Sequence, residues 1–165
     1  MGADQILLLT WLPPLLLAAM LVAAAMWDLR KRIIPNRLNL AIALTAPIAW
    51  IASGLDPWPD IAIQIGLAAL IFGLFVGLFM LGGIGGGDVK LIGAVALWIP
   101  ADLLMPMLIL MAIAGGVIAL AMLLWRALSR GRTSAEVPYG VAIAFAGLWA
   151  IHQQYLNHYS LTAFS

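Results

Sequence analysis

Residues 61–81 read IAIQIGLAALIFGLFVGLFML and contain no charged side chain. About 20 mostly apolar residues are enough for an α-helix to cross a bilayer, so this stretch predicts a membrane-spanning helix. The whole chain has the same character, because 65% of its 165 residues are hydrophobic and only 9% are charged. Soluble domains carry roughly a quarter charged residues, so this composition excludes a water-soluble globular protein.

Five further apolar segments predict helices on either side of this stretch. They lie at roughly Ile6–Trp27, Leu38–Ala52, Asp88–Ile99, Leu103–Trp125 and Tyr139–Ile151. The predicted fold class is therefore all-α, a polytopic membrane protein of about six transmembrane helices in one domain over residues 1–165. No basic stretch precedes the first segment, which is predicted to be a retained helix and not a cleaved signal.

The fourth predicted helix is short. From Val89 to Ile99 it would be only about 16 Å long, against a hydrocarbon core of roughly 30 Å. Either the glycine run Gly82–Gly87 before it enters the membrane, or this helix is buried among its neighbours. Both alternatives place Asp88 at or just beneath the membrane surface.

Basic residues occur in only three places, which six alternating helices would put on one side of the membrane. They follow the first helix, begin the fourth and follow the fifth: Arg30, Lys31, Arg32, Arg37, Lys90, Arg126, Arg130 and Arg132. The positive-inside rule makes that side cytoplasmic, with both termini outside, in the inner (plasma) membrane. Tryptophans near helix ends predict interfacial belts, the inner from Trp27 and Trp125 and the outer from Trp50, Trp58 and Trp98.

Three acidic residues fall on the cytoplasmic side, namely Asp28, Asp88 and Glu136, and Glu136 is interpreted as a solvated loop residue. Asp28 ends the first helix and Asp88 begins the fourth, so both lie at similar depth. Asp28 could merely pair with Arg32 one turn on, and Asp88 could merely be a helix N-cap. A carboxylate at membrane depth is nevertheless costly and therefore points to function.

Two carboxylates at one depth suit aspartyl protease chemistry. The ionised carboxylate takes a proton from water as the water attacks the scissile carbonyl, and the protonated one polarises that carbonyl. Water is the nucleophile, so no cofactor is implied. The chain contains no cysteine, and His152 and His158 do not share a helical face. No metal site is therefore predicted.

Three motifs resemble the type IV prepilin peptidases, a family of GxGD aspartyl proteases. GGGDVKL occupies residues 85–91, RIIPN residues 32–36 and VPYGVA residues 137–142. The resemblance implies that Asp28 and Asp88 are the catalytic pair and that Gly85 and Gly87 are the motif glycines. It implies supporting roles for Pro35, Asn36, Lys90, Pro138, Tyr139 and Gly140, although Lys90 could equally be a positive-inside anchor.

The chain is most similar to the small, peptidase-only branch of that family, typified by tight-adherence (Flp) pilus systems. Larger members carry an additional cytoplasmic domain with paired cysteines and also methylate the product, whereas this first loop is short and cysteine is absent. The implied partners are a prepilin or pseudopilin helix and the lipid bilayer, with no nucleic acid. An archaeal preflagellin peptidase and a small transporter or scaffold that couples to cations through the two acids remain alternatives. A presenilin-like protease is a further alternative, against which the IPN and PYG segments argue. Sequence does not define the oligomeric state.

The glycine run leads to one further prediction. The missing side chain of Gly87 could allow the substrate backbone or the Asp28 helix to approach Asp88. In that case Gly87→Ala should reduce the cleavage rate far more than it reduces the amount of protein in the membrane. Gly82→Ala should then be nearly silent.

Overall fold

The computed structural model describes residues 3–128 and 137–162, with side chains described within residues 11–128 and 137–154. The regular structure in these ranges is helical, which confirms the all-α fold class. The helices are α1 (Ala3–Lys31), α2 (Asn36–Ala52), α3 (Ala62–Met80), α4 (Gly86–Ala96), α5 (Ala101–Leu128) and α6 (Tyr139–Thr162). A kinked turn at Pro57–Ile61, in which Trp58 is extended, precedes α3. The positions of Arg130, Arg132 and Glu136 lie outside the described residues.

Three stretches among the described residues are long and apolar enough to cross a membrane, judged by length and composition. These are Trp11–Lys31, Pro57–Met80 and Ala101–Leu128. Large apolar side chains cover their outer surfaces, including Leu70 and Leu74 of α3 and Ile113 and Val117 of α5. Lipid can solvate such side chains and water cannot do so favourably, and the chain is therefore an all-α membrane protein.

The shortest α-helix, α4, lies at the centre of the bundle. It packs against α2, α3 and α6, and its residues from Val89 to Ala96 are buried apart from Lys90. Of the two alternatives for this short segment, burial among its neighbours is confirmed. The helix begins two residues before Asp88 and ends three residues before the predicted Ile99.

Side chains from α2 and α3 satisfy the carbonyl groups at and beyond the C-terminal end of α4. The Gln64 amide donates hydrogen bonds to the Ala96 and Ile99 carbonyls, each at 2.7 Å. The Trp50 indole donates to the Leu97 carbonyl at 2.8 Å. The last carbonyls of a helix have no partner within the helix, and an unpaired one in an apolar environment is costly, so these contacts fix where α4 can end.

One tryptophan assigned to the outer belt is in the core instead. Trp98 is 8% exposed and its indole donates a hydrogen bond to the Ile42 carbonyl at 2.7 Å. Trp50 is partly buried against the same region. The belt prediction is wrong for Trp98, because a position near a helix end does not distinguish an interfacial ring from one that closes the bundle.

The loop between α1 and α2 is tight. α1 ends at Lys31 and α2 begins at Asn36. Arg32 adopts a left-handed conformation with φ of 54°, and its N–H donates to the Asp28 carbonyl at 2.9 Å. A left-handed residue just after a helix is a common way to satisfy its last carbonyls. Chain direction therefore reverses directly beside Asp28.

Candidate active site

A cavity of about 750 Å³ lies where three helix junctions meet, after α1, before α4 and before α6. Alternation of the helices predicts that these junctions share one end of the bundle, and the structure brings them together there. Both Asp28 and Asp88 line the cavity. The other lining residues are Arg32, Ile33, Ile34, Pro35, Asn36, Gly82, Gly83, Ile84, Gly85, Gly86, Gly87, Val137 and Tyr139.

Asp28 reaches from the last turn of α1 to the first turn of α6. Its side chain is 5% exposed, and its Oδ2 accepts a hydrogen bond from the Val141 N–H at 3.3 Å. Val141 is the third residue of α6, where the backbone N–H groups have no partner within the helix. The start of α6 therefore orients this carboxylate.

Gly140 allows this contact because it has no side chain. A Cβ atom placed there would lie 2.8 Å from Asp28 Oδ2, 3.0 Å from its Cγ and 2.8 Å from Ile34 Cδ1. These separations are shorter than van der Waals contact, so only glycine lets the carboxylate and the Ile34 side chain occupy their places. The VPYGVA motif thus acts on Asp28 through both Gly140 and Val141.

Asp88 lies in the first turn of α4, at its third residue. The N-cap is Gly85, so the interpretation of Asp88 as an N-cap is wrong. Asp88 is 8% exposed, and a Cβ placed on Gly85 would lie 3.0 Å from Asp88 Oδ2. The carboxylate therefore folds back over the N-cap residue, as an acidic residue at this position commonly does. Both candidate catalytic carboxylates thus lie at a helix N-terminus.

The motif glycines differ in what a side chain would meet. A Cβ on Gly87 would lie 3.5 Å from Ile34 Cβ, which is ordinary contact, so the bundle itself accommodates Gly87→Ala. A large loss of cleavage in Gly87→Ala therefore stays a prediction, and its cause would be contact with a bound substrate and not packing within the bundle. Gly82 has φ of +75°, a conformation that strains any residue with a Cβ, so its use as a silent control is wrong.

The remaining motif residues divide between the cavity and its surroundings. Pro35 is the N-cap of α2 and lines the cavity. Tyr139 also lines the cavity. Lys90 does not line it: its ammonium group donates to Asn36 Oδ1 at 2.9 Å, which ties α4 to the start of α2. Pro138 is buried immediately before α6.

Asn39 is a site residue that the motifs did not single out. Its Nδ2 donates to the Gly87 carbonyl at 3.2 Å and thereby holds the first turn of α4, which carries Asp88. The available signal was an amide side chain in a mostly apolar helix, three residues after Asn36. Polar groups at membrane depth are seldom placed there without a partner.

The fold and this cavity define an all-α membrane protein with two buried carboxylates at one end of its bundle. Residues 15–120 match the model of the type IV leader peptidase family. The chain belongs to this family.

Two curated relatives, from Aeromonas salmonicida and its strain A449, are each described as a prepilin leader peptidase/N-methyltransferase. Each is 28% identical to this chain over 154 residues, which cover 91% of this chain and 49% of the relative. The chain thus spans about half the length of these relatives. No solved structure matches it significantly.

Proposed function

We propose that this chain is an aspartic endopeptidase that removes the leader peptide of type IV prepilins or pseudopilins of the Flp kind. The observation that carries the proposal is that Asp28, Asp88 and the GGGD glycines line one and the same cavity. Family membership supports the reaction class. The proposal covers peptide hydrolysis and does not include methylation of the product.

The chemistry requires the two carboxylates in different protonation states. The ionised one accepts a proton from water as the water oxygen attacks the scissile carbonyl carbon, and the protonated one donates a hydrogen bond to the carbonyl oxygen. The peptide nitrogen then takes a proton as the C–N bond breaks.

The short loop between α1 and α2 supports assignment to the peptidase-only branch. Four residues, 32–35, separate the two helices, and they leave no space for a domain inserted at this point. The proposed unit is therefore one membrane-embedded peptidase domain, and its substrates present a basic leader to the cytoplasm and an apolar helix to the membrane.

We further propose that all six helices cross or enter the inner membrane, with the cavity at the cytoplasmic face and both termini outside. The clustering of basic residues at the cavity end, including Arg32 and Lys90, supports this orientation. Reporter fusions after Arg32 and within Gly85–Gly87 should report cytoplasm. Fusions near Asp56, near Asp102 and at the C-terminus should report the outside. A cytoplasmic C-terminus would refute the six-span arrangement.

Co-expression with the prepilins of the same organism tests the activity directly. The expected result is a faster-migrating pilin band that appears only when this chain is present. Mass spectrometry of the shortened product should place the cut between the basic leader and the apolar segment. If every prepilin stays full length while the protein accumulates in the membrane, the peptidase proposal is wrong. Cation flux without cleavage would instead support a transporter.

A further inference from the structure

A second cavity of about 570 Å³ opens between α2, α3 and α4, next to the candidate active site. We call this the apolar groove. Its lining is mostly aliphatic, with Asn36, Asn39 and Lys90 among the exceptions, and each helix contributes four residues. They are Asn36, Asn39, Leu40 and Ala43 of α2, Ile65, Ala68, Ala69 and Phe72 of α3, and Lys90, Gly93, Ala94 and Leu97, which lie on α4 or follow it directly.

The spacing of these residues indicates what shape of ligand fits. In all three sets the residues follow the pattern i, i+3, i+4 and i+7, which places each set on one face of a helix over about two turns, or roughly 10 Å. Three helical faces around a gap form a slot for a further helical segment, and alanine and glycine allow a backbone to approach closely.

The apolar groove adjoins the active-site cavity. Asn36 lines both of them, and the Lys90 ammonium group is bound to Asn36 at their junction. A chain that leaves the active site past Asn36 enters the groove. The polar residues lie at the junction and Leu97 at the other end, so the groove matches a segment that is polar near the site and apolar further on.

We infer that the apolar groove, which lies next to the active-site cavity and shares Asn36 with it, binds the membrane segment of the substrate that follows the scissile bond. The inference rests on the proposed peptidase function and adds to it the place where the substrate helix lies. The groove holds the segment in register, so the bond to be cut falls between the two carboxylates.

Filling the groove should weaken substrate binding without changing the chemistry. Ala69→Leu places a larger side chain on the α3 wall, and we expect KM for a prepilin that the wild-type protein cuts to rise on the order of tenfold, with kcat little changed. Ala112→Leu adds the same atoms to an exposed position on α5 and should leave both constants unchanged. Equal KM values for wild type and Ala69→Leu would overturn the inference.

Photo-crosslinking gives a second measurement that does not depend on catalysis. A photoreactive phenylalanine replaces Leu40 in the groove or, as the control, Leu120 on α5, both in full-length protein carrying Asp88→Asn. The two leucines are similarly exposed, at 57% and 58%. The same prepilin should crosslink from position 40 and not from position 120.

Adducts of position 40 with lipid alone, or equal prepilin adducts from both positions, would overturn the groove inference even if the wild-type protein cuts the prepilin. If the wild-type protein cuts no prepilin, the proposed function fails and the inference fails with it.

Discussion

Asp28→Asn and Asp88→Asn are each expected to reduce prepilin cleavage by roughly a hundredfold to ten-thousandfold while the protein still accumulates in the membrane. Asparagine keeps the size of the side chain and part of its hydrogen bonding but cannot give or take the proton. For Asp28 the Val141 N–H can still donate to the amide oxygen, so the test removes chemistry and preserves packing. The measurement is the initial cleavage rate per amount of solubilised protein.

The double variant sharpens this test. Groups that act as one unit have strongly non-additive effects, so Asp28→Asn with Asp88→Asn should be no slower than either single variant. Asp102→Asn is the matched control, because Asp102 is exposed in the first turn of α5. Substantial cleavage by either single variant would show that the two aspartates are not the catalytic pair.

Gly140→Ala is expected to reduce kcat on the order of a hundredfold, with a much smaller loss of membrane expression. The added methyl group would lie 2.8 Å from Asp28 Oδ2, so the carboxylate has to move. A displacement near 1 Å at a reacting group can cost about that factor. The same methyl group would also crowd the Ile34 side chain, which lines the cavity beside Asp28. This second close contact should disturb the cavity further.

Gly116→Ala provides the control for the change from glycine to alanine. Gly116 lies within α5, and nothing comes within 4 Å of a Cβ placed there. Alanine favours a helix over glycine, so this variant should match or slightly exceed the wild-type protein in expression and cut at the same rate. Equal rates for Gly140→Ala and Gly116→Ala would mean that the position of the Asp28 carboxylate is not critical.

The sequence predicted the parts of the fold that depend on hydropathy. Runs of apolar residues located all six helices, and α6 begins at the predicted Tyr139 and α2 ends at the predicted Ala52. The start of α4 was misplaced because glycine is a poor helix former, yet Gly86 and Gly87 belong to its first turn. Their surroundings override this preference, since Asn39 holds the Gly87 carbonyl.

What the sequence did not reveal are contacts between residues far apart in the chain. Nothing near Gln64 indicates that its amide serves the carbonyls of Ala96 and Ile99. The importance of Gly140 was implied only by its motif, and its physical cause, the room it leaves for Asp28, depends on how α1 and α6 pack. Hydropathy records how apolar a segment is and carries no information about which neighbour it meets.

The central position of α4 determines how freely different parts of this chain can change. Residues of α3 that face outward, such as Leu70 and Leu74, need only be apolar, because fluid lipid adapts to any shape. Residues of α4 such as Leu91, Ile92 and Val95 are fully enclosed, so each must also have the right volume, since tightly packed interiors resist the gain or loss of even one methylene group. Substitution tolerance should therefore be narrowest in the shortest α-helix and widest in the long helices that surround it.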